Sequence, residues 1–311
     1  MQDAFRVSFV IVAIYVAWVG VSFLLFGAGK GLPSDGLPPG VLVAPAVFFH
    51  ICLAALATAF FMVYAMEPLR PRHRLRAGFI GFSILLTGII YALSRQVDPG
   101  THLLLQFLKM LNTANLIVFA NLLGSWITAP LKRPAELVPL CVVMVLADFF
   151  SVFKGPSREI IESLTVYYET GMVGPPPAAD FLLLKITVPG IGQLMPVFGV
   201  SDWIIIAFFS AAAVKFGFND NFAGKSISDM LSRRRIAFYL PVSVLGLLGA
   251  VLTAQALGVF LPALPVVVAF FIFDMMIRYP DVRKLKRSDW LATGGAVVIM
   301  ISLMLVYGRI S

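Results

Sequence analysis

The sequence predicts an all-α polytopic membrane protein of about nine transmembrane helices, with a long external loop holding a short helix and a β-strand. Three observations predict it. Only 13% of the 311 residues are charged, where a soluble domain carries about a quarter, so most of the surface must face lipid. Apolar stretches of about 20 residues, enough to cross a bilayer at roughly 1.5 Å per residue, recur from end to end. Most of the Lys and Arg residues fall in alternate connections between those stretches, the asymmetry that fixes orientation.

The first span, 5–26, is too long for the core of a secretory signal and follows Asp3, so it is expected to be retained. The remaining spans are expected at 41–66, 77–94, 103–128, 135–153, 197–217, 236–259, 261–277 and 290–307. Pro262 and Pro265, which lack backbone donors, force a turn between the seventh and eighth. An N-terminus in the cytoplasm puts Arg70, Arg72, Arg74, Arg76, Lys132, Arg133, Lys225, the run 233–235 and the basic cluster 278–287 on the inner side. The C-terminus is then external, and a bacterial inner (plasma) membrane is the expected location. The chain divides into four N-terminal helices in 1–134, a core in 135–277 with helices five to eight and the loop 154–196, and a basic loop with the last helix in 278–311.

Basic residues lie between apolar spans instead of on one face with interleaved aromatics, so no nucleic-acid partner is expected. Cys52 and Cys141 sit inside apolar runs, and His50, His73 and His102 are scattered. Neither a disulfide framework nor a metal set follows, and no cofactor is implied.

The loop 154–196 is far longer than ordinary connections. Lys154, Gly155 and Pro156 stop the preceding helix. Ser157 suits an N-cap with Glu159 in the first turn, and Ile160, Ile161, Leu164 and Tyr168 follow at helical spacing, predicting a short interfacial helix. Gly174 and the three prolines after it form a stiff linker, and 182–188 reads as a strand closed by Pro189 and Gly190.

Two carboxylates lie inside spans, where a charge is costly. Asp148 is about six residues from the outer end of span five, and Asp202 about five from the outer start of span six, so both lie roughly 8–9 Å below one boundary. Carboxyls that meet at such a depth share a proton; one can act as base toward a water while the other polarises a carbonyl. Singly, each equally suits a structural or ion-pathway role. A proton-coupled transporter and a catalytically silent scaffold that binds membrane segments are therefore the alternatives. Pro262, Ala263, Leu264 and Pro265 at the start of span eight lie on the same side as both aspartates.

Together these stretches resemble the presenilin and signal peptide peptidase group of GxGD intramembrane aspartyl proteases. In that group one catalytic aspartate follows a tyrosine, the second closes a Gly-x-Gly-Asp motif on the next helix, and Pro-Ala-Leu opens a later helix. Here Asp148, then Gly199 to Asp202, then Pro262, Ala263 and Leu264 occur in that order, and 148–158 resembles the segment after the first presenilin aspartate. The resemblance covers 144–275. It implies an aspartic endopeptidase with Asp148 and Asp202 catalytic, with Gly199, Ser201, Pro262, Ala263 and Leu264 lining the substrate. It also implies that the strand containing Ile186 pairs with an unwound substrate. With the intervening loop outside, the implied substrates are transmembrane segments whose N-terminus is cytoplasmic, such as signal-peptide remnants or type II anchors. The sequence departs from the pattern at Ala147, where the tyrosine stands, and at Ser201, where the second glycine stands. It also has one helix fewer before the first aspartate and one more after the Pro-Ala-Leu helix.

The other polar residues read as structural. Asp274 and Arg278 are spaced for a helix-end ion pair. Asn112, Asn115 and Asn121 can join helices, His50 fits a core position, and Lys215 can reach the inner interface.

Overall fold

The computed structural model describes residues 2–29, 39–97, 102–154, 156–170, 176–233, 237–257 and 262–307. The helices are α1 (Gln2–Gly29), α2 (Pro39–Tyr64), α3 (Met66–Leu69), α4 (His73–Ser94), α5 (His102–Thr128), α6 (Leu137–Lys154), α7 (Pro156–Glu169), α8 (Val200–Phe216), α9 (Ile227–Arg233), α10 (Val242–Leu257), α11 (Ala263–Arg278) and α12 (Arg287–Tyr307). Between α7 and α8 lie two strands, β1 (Leu183–Thr187) and β2 (Leu194–Gly199). Among the described residues five helices are long and apolar enough to cross a bilayer, at Asp3–Ala28, Val41–Tyr64, His73–Ser94, Leu103–Thr128 and Pro134–Ser151. The chain is an all-α membrane protein in class, and its apolar outer faces suit lipid.

An apolar helix with no polar face belongs at the centre of a bundle. That helix is α8, buried from Ile205 to Ala213 and at Trp203, and surrounded by α2, α5, α10 and α11. Its closest neighbour is α5, because Gly124 lets the two backbones touch. A Cβ there would lie 2.6 Å from the Phe208 nitrogen and 2.8 Å from the Ala207 carbonyl carbon. Those atoms belong to a helix backbone and cannot swing aside. Gly124→Val is expected to destabilise the protein by at least about 1–3 kcal/mol, read as a lower unfolding midpoint in detergent. An unchanged midpoint would show that α5 and α8 do not meet there.

Lys215, near the end of its helix, is part-exposed and reaches along the bundle to the end of α5. Its ammonium donates to the carbonyls of Thr128 (3.0 Å) and Ala129 (2.7 Å), where the last carbonyls of α5 lack intrahelical donors. Asn115 joins helices as its chemistry allows: it donates to the Ser83 carbonyl (2.8 Å) and Thr87 (2.9 Å) and accepts from Tyr15 (2.5 Å). Asn121 instead bonds the Ile117 carbonyl of its own helix. His50 is buried between the Trp18 and Phe49 rings.

The long loop is built as α7 and a β-hairpin. The strand expected at 182–188 spans Leu183–Thr187, because Ala178–Leu182 forms a 3-10 turn. Its partner β2 was not foreseen. The sixth span, expected from 197, starts at Val200, and Leu194–Gly199 is strand. A short apolar run before a helix reads equally as its first turn, and only long-range pairing decides. The strands pair antiparallel from Leu183↔Gly199 to Thr187↔Leu194, with an irregularity at Leu184/Lys185 that leaves Val197 as an extra residue on β2. Gly190, at φ 84°, supplies the left-handed residue of the turn.

The face of α5 toward the hairpin carries its hydrogen bonds. Thr113 accepts from the Lys185 N–H (3.2 Å), Gln106 from the Leu194 N–H (3.3 Å), and Asn112 donates to the Phe181 carbonyl (2.8 Å). Beneath lies a buried ion pair between Asp180 and Lys185, and the Tyr168 hydroxyl of α7 donates to the same Asp180. The hairpin is thus tied to α5 on one side and to α7 on the other.

Spans five and six were expected to lie side by side. Instead α6 makes its main contacts with α11 and α12, and α11 touches both α6 and α8. At its N-terminal end α6 is strapped to α12 through Arg133, which pairs with Asp289 (2.8 Å) and with Glu136 (3.2 Å).

Candidate active site

Asp202 is the third residue of α8, and its Oδ2 accepts the N–H of Gly199 at 3.0 Å. This is half of a capping box, in which an acid at the third position satisfies the N-cap donor. Gly199 ends β2 in extended conformation (φ −76°, ψ 156°), so the hairpin delivers the group that orients the carboxylate. A Cβ at Gly199 would lie 3.2 Å from the hydroxyl of the exposed Ser201, which can turn aside, and 3.6 Å from Asp202 Oδ2. Ser201 is exposed, and its hydroxyl makes no hydrogen bond to Asp202.

Asp148 lies toward the C-terminal end of α6, partly exposed, and its Oδ2 is buried without a hydrogen-bond partner among the described residues. Buried polar atoms are almost always satisfied, so a bare carboxylate oxygen calls for a function.

Ring contacts fix the relative depths. Phe209 of α8 stacks on Phe271 of α11 with centroids 3.9 Å apart, and Phe218 meets Tyr279 at 4.5 Å beyond the other ends. The two helices therefore run in the same direction. Asp202 precedes Phe209, and Leu264 precedes Phe271, by the same number of residues, about 10 Å of helix. Leu264 and Asp202 thus share a level. Antiparallel to both, α6 has its N-terminal end beside the turn that follows α11, since Pro134–Glu136 contacts Pro280–Arg283. Asp148 accordingly lies toward the start of α11. The Asp148 and Asp202 carboxylates interact electrostatically.

Pro262 is extended (φ −60°, ψ 122°) at the N-cap of α11, which begins at Ala263; Leu264 is buried. Pro265 falls in the first turn, where a missing N–H costs nothing. The N–H groups of Ala263 and Leu264 have no intrahelical acceptor. Leu261 lies outside the described residues. Ile186 lies apart from this corner, 1% exposed, within the core beneath the hairpin.

A second polar cluster, not singled out by the sequence, lies near the opposite ends of α8 and α11. Asp220 is wholly buried; its Oδ2 accepts from the Tyr239 hydroxyl (2.6 Å), which also lies 2.8 Å from the Ser210 hydroxyl. Asp220 Oδ1 and Asp274 Oδ2 are both buried without a hydrogen-bond partner among the described residues. Asp274 pairs with Arg278 at 2.8 Å, as its spacing anticipates. Asp220 sits in a connection between apolar helices, and a lone acid there carries no local signal; only the fold buries it.

No family model, curated protein or solved structure matches the sequence. Fold and site together define an all-α membrane protein in which the helices that carry Asp148 and Asp202 share α11 as a neighbour.

Proposed function

We propose that this chain is an intramembrane aspartyl protease that cuts peptide bonds within transmembrane segments of other membrane proteins, with Asp148 and Asp202 activating a water. The observation that supports the reading is the placement, toward one level of the bundle, of a bare carboxylate oxygen on α6, a backbone-anchored carboxylate on α8 and the proline-opened start of α11. In this reading the two acids come together and hold one proton between them. The ionised member takes a proton from water as the oxygen adds to the carbonyl carbon, and the protonated member gives its proton to the carbonyl oxygen. Collapse of the resulting diol breaks the C–N bond, the departing nitrogen receives a proton, and the dyad returns to its starting state.

A helix must unwind before it is cut, and an exposed strand edge stabilises the unwound segment. The outer edge of β1 is taken by α5, and Ile186 is in the core, so the open edge belongs to β2. That strand ends at Gly199, beside Asp202. In this reading Ile186 supports the hairpin, while Gly199, Ser201, Pro262, Ala263 and Leu264 border the substrate. The helices α1, α2, α4, α5, α6, α8, α10, α11 and α12 make nine crossings, with the N-terminus and the basic connections in the cytoplasm. Substrates then enter with a cytoplasmic N-terminus, as signal-peptide remnants and type II anchors do.

The test is covalent labelling by a photoreactive isostere of the tetrahedral intermediate, with cleavage of a reconstituted type II span measured in parallel. Labelling is expected in the wild type and lost in Asp148→Ala and in Asp202→Ala. Labelling that survives both changes overturns the proposal. A second reading, proton-coupled transport, draws on Asp220, whose carboxyl burial pushes up to about 7, and on its bare oxygen facing the Asp274 charge. Proton-driven flux in vesicles, without labelling, would favour it.

A further inference from the structure

Beside the proposed site, α6, α10 and α11 enclose a groove of about 950 Å³, walled by apolar residues that include Val145, Leu245, Ala269 and Phe273. It runs from Pro265 to Arg278, some 20 Å of α11. That exceeds the roughly 15 Å of hydrocarbon in one leaflet. Its foot is cationic. Arg278 lines the groove, with its side chain 38% exposed. Arg283 folds back to donate to the carbonyl of Met276, itself a lining residue. Lys286 and Arg287 follow on the same exposed turn, with no ion partner among the described residues. Asp274 offsets one of these charges, and Asp281 is taken by Lys284.

We infer that this groove is a binding site for one anionic phospholipid, its phosphate on Arg278 and Arg283 and its acyl chains lying along α6 and α11. Guanidinium groups bind phosphate oxygens bidentately, and basic pockets between membrane helices select anionic headgroups. The cationic foot selects the occupant, and two flexible acyl chains can follow the apolar wall above it. The acyl chains would fill the space beside Val145, one turn from Asp148, and so brace the helix that carries it. The binding site itself stands apart from the proteolytic reading, because it is tested without cleavage.

The experiment is native mass spectrometry of the full chain released from neutral detergent, with phosphatidylglycerol and phosphatidylcholine of identical acyl chains supplied in equal amounts. One phosphatidylglycerol per chain is expected to be retained preferentially. Arg278→Gln is expected to weaken its retention about fivefold, the effect of one basic residue near a charged headgroup. Ala269→Trp fills an exposed stretch of the wall away from the core and is expected to remove the preferential adduct with the basic foot intact. If Arg278→Gln does not fold, Arg283→Gln serves as the charge variant. Equal retention of both lipids by the wild type overturns the inference, and so does retention unchanged by the charge variant or by Ala269→Trp. A second chain or a co-purifying peptide held in the groove, displaced by Ala269→Trp, would overturn it equally.

Discussion

Asp148→Ala and Asp202→Ala are each expected to slow cleavage of a reconstituted transmembrane substrate by about 10²–10⁴-fold, the usual worth of a positioned acid or base. The double variant is expected to be no slower than the worse single one. A dyad that shares one proton works as a unit, so the second deletion removes nothing that the first left in place. Two aspartates with separate duties would instead give losses that multiply, each group acting on its own equilibrium. The comparison therefore tests coupling as well as necessity. Rates that fall independently would mean that the electrostatic interaction between the two carboxylates is incidental to chemistry. Asp202→Asn sharpens the result. Its amide can still accept the Gly199 N–H that the carboxylate accepts at 3.0 Å, so capping of α8 survives while the titratable proton is lost. Cleavage should fall as far in Asn as in Ala, with the unfolding midpoint closer to wild type. A midpoint that drops equally in both would assign the residue to helix capping alone.

What the sequence disclosed follows from how local each signal is. Long apolar runs announce themselves, because desolvating a span requires an unbroken stretch, and among the described residues five helices are long and apolar enough to cross a bilayer. Asp148 and Asp202 stood out for the converse reason: charge in such a stretch is expensive wherever the helix goes. Orientation of the side chains did not come with them. The bare oxygen of Asp148 and the N–H held by Asp202 depend on neighbours far along the chain. Strand β2 was invisible because Pro196 and the two flanking apolar pairs fit a helix start as well as a hairpin arm, and only pairing with Leu183–Thr187 distinguishes them. Asp220 was passed over for a related reason: it is sealed in by Tyr239, which is not near in sequence in the sense that a periodic pattern records. The position of α6 against α11 and α12 likewise comes from packing between whole helices, which consecutive order along the chain does not specify.

The same non-local logic makes Lys185 the residue whose loss should cost the fold most. Its ammonium and the Asp180 carboxylate are both buried, at 4% and 1% of side-chain exposure. Lys185→Met is expected to destabilise the protein by about 3–5 kcal/mol, because it strands a charge in a dry site. Lys109 of α5 lies in electrostatic range of Asp180, but it is itself desolvated by burial and does not replace the ion pair. Replacing both partners, Asp180→Leu with Lys185→Met, should recover most of the loss. The pH dependence gives an independent check. Burial, opposed by the Asp180 charge, lowers the Lys185 amine to about 8 from its ordinary 10.5. Between those values the unfolded chain binds more protons than the folded one, so stability rises with pH. The gain is complete above about 10.5 and absent below about 8. Lys185→Met should abolish that rise while leaving the remaining titrations in place, and a rise that persists would remove Lys185 as its source. Function should follow stability here, since a loosened hairpin carries Gly199, and with it the donor that orients Asp202, away from the other carboxylate.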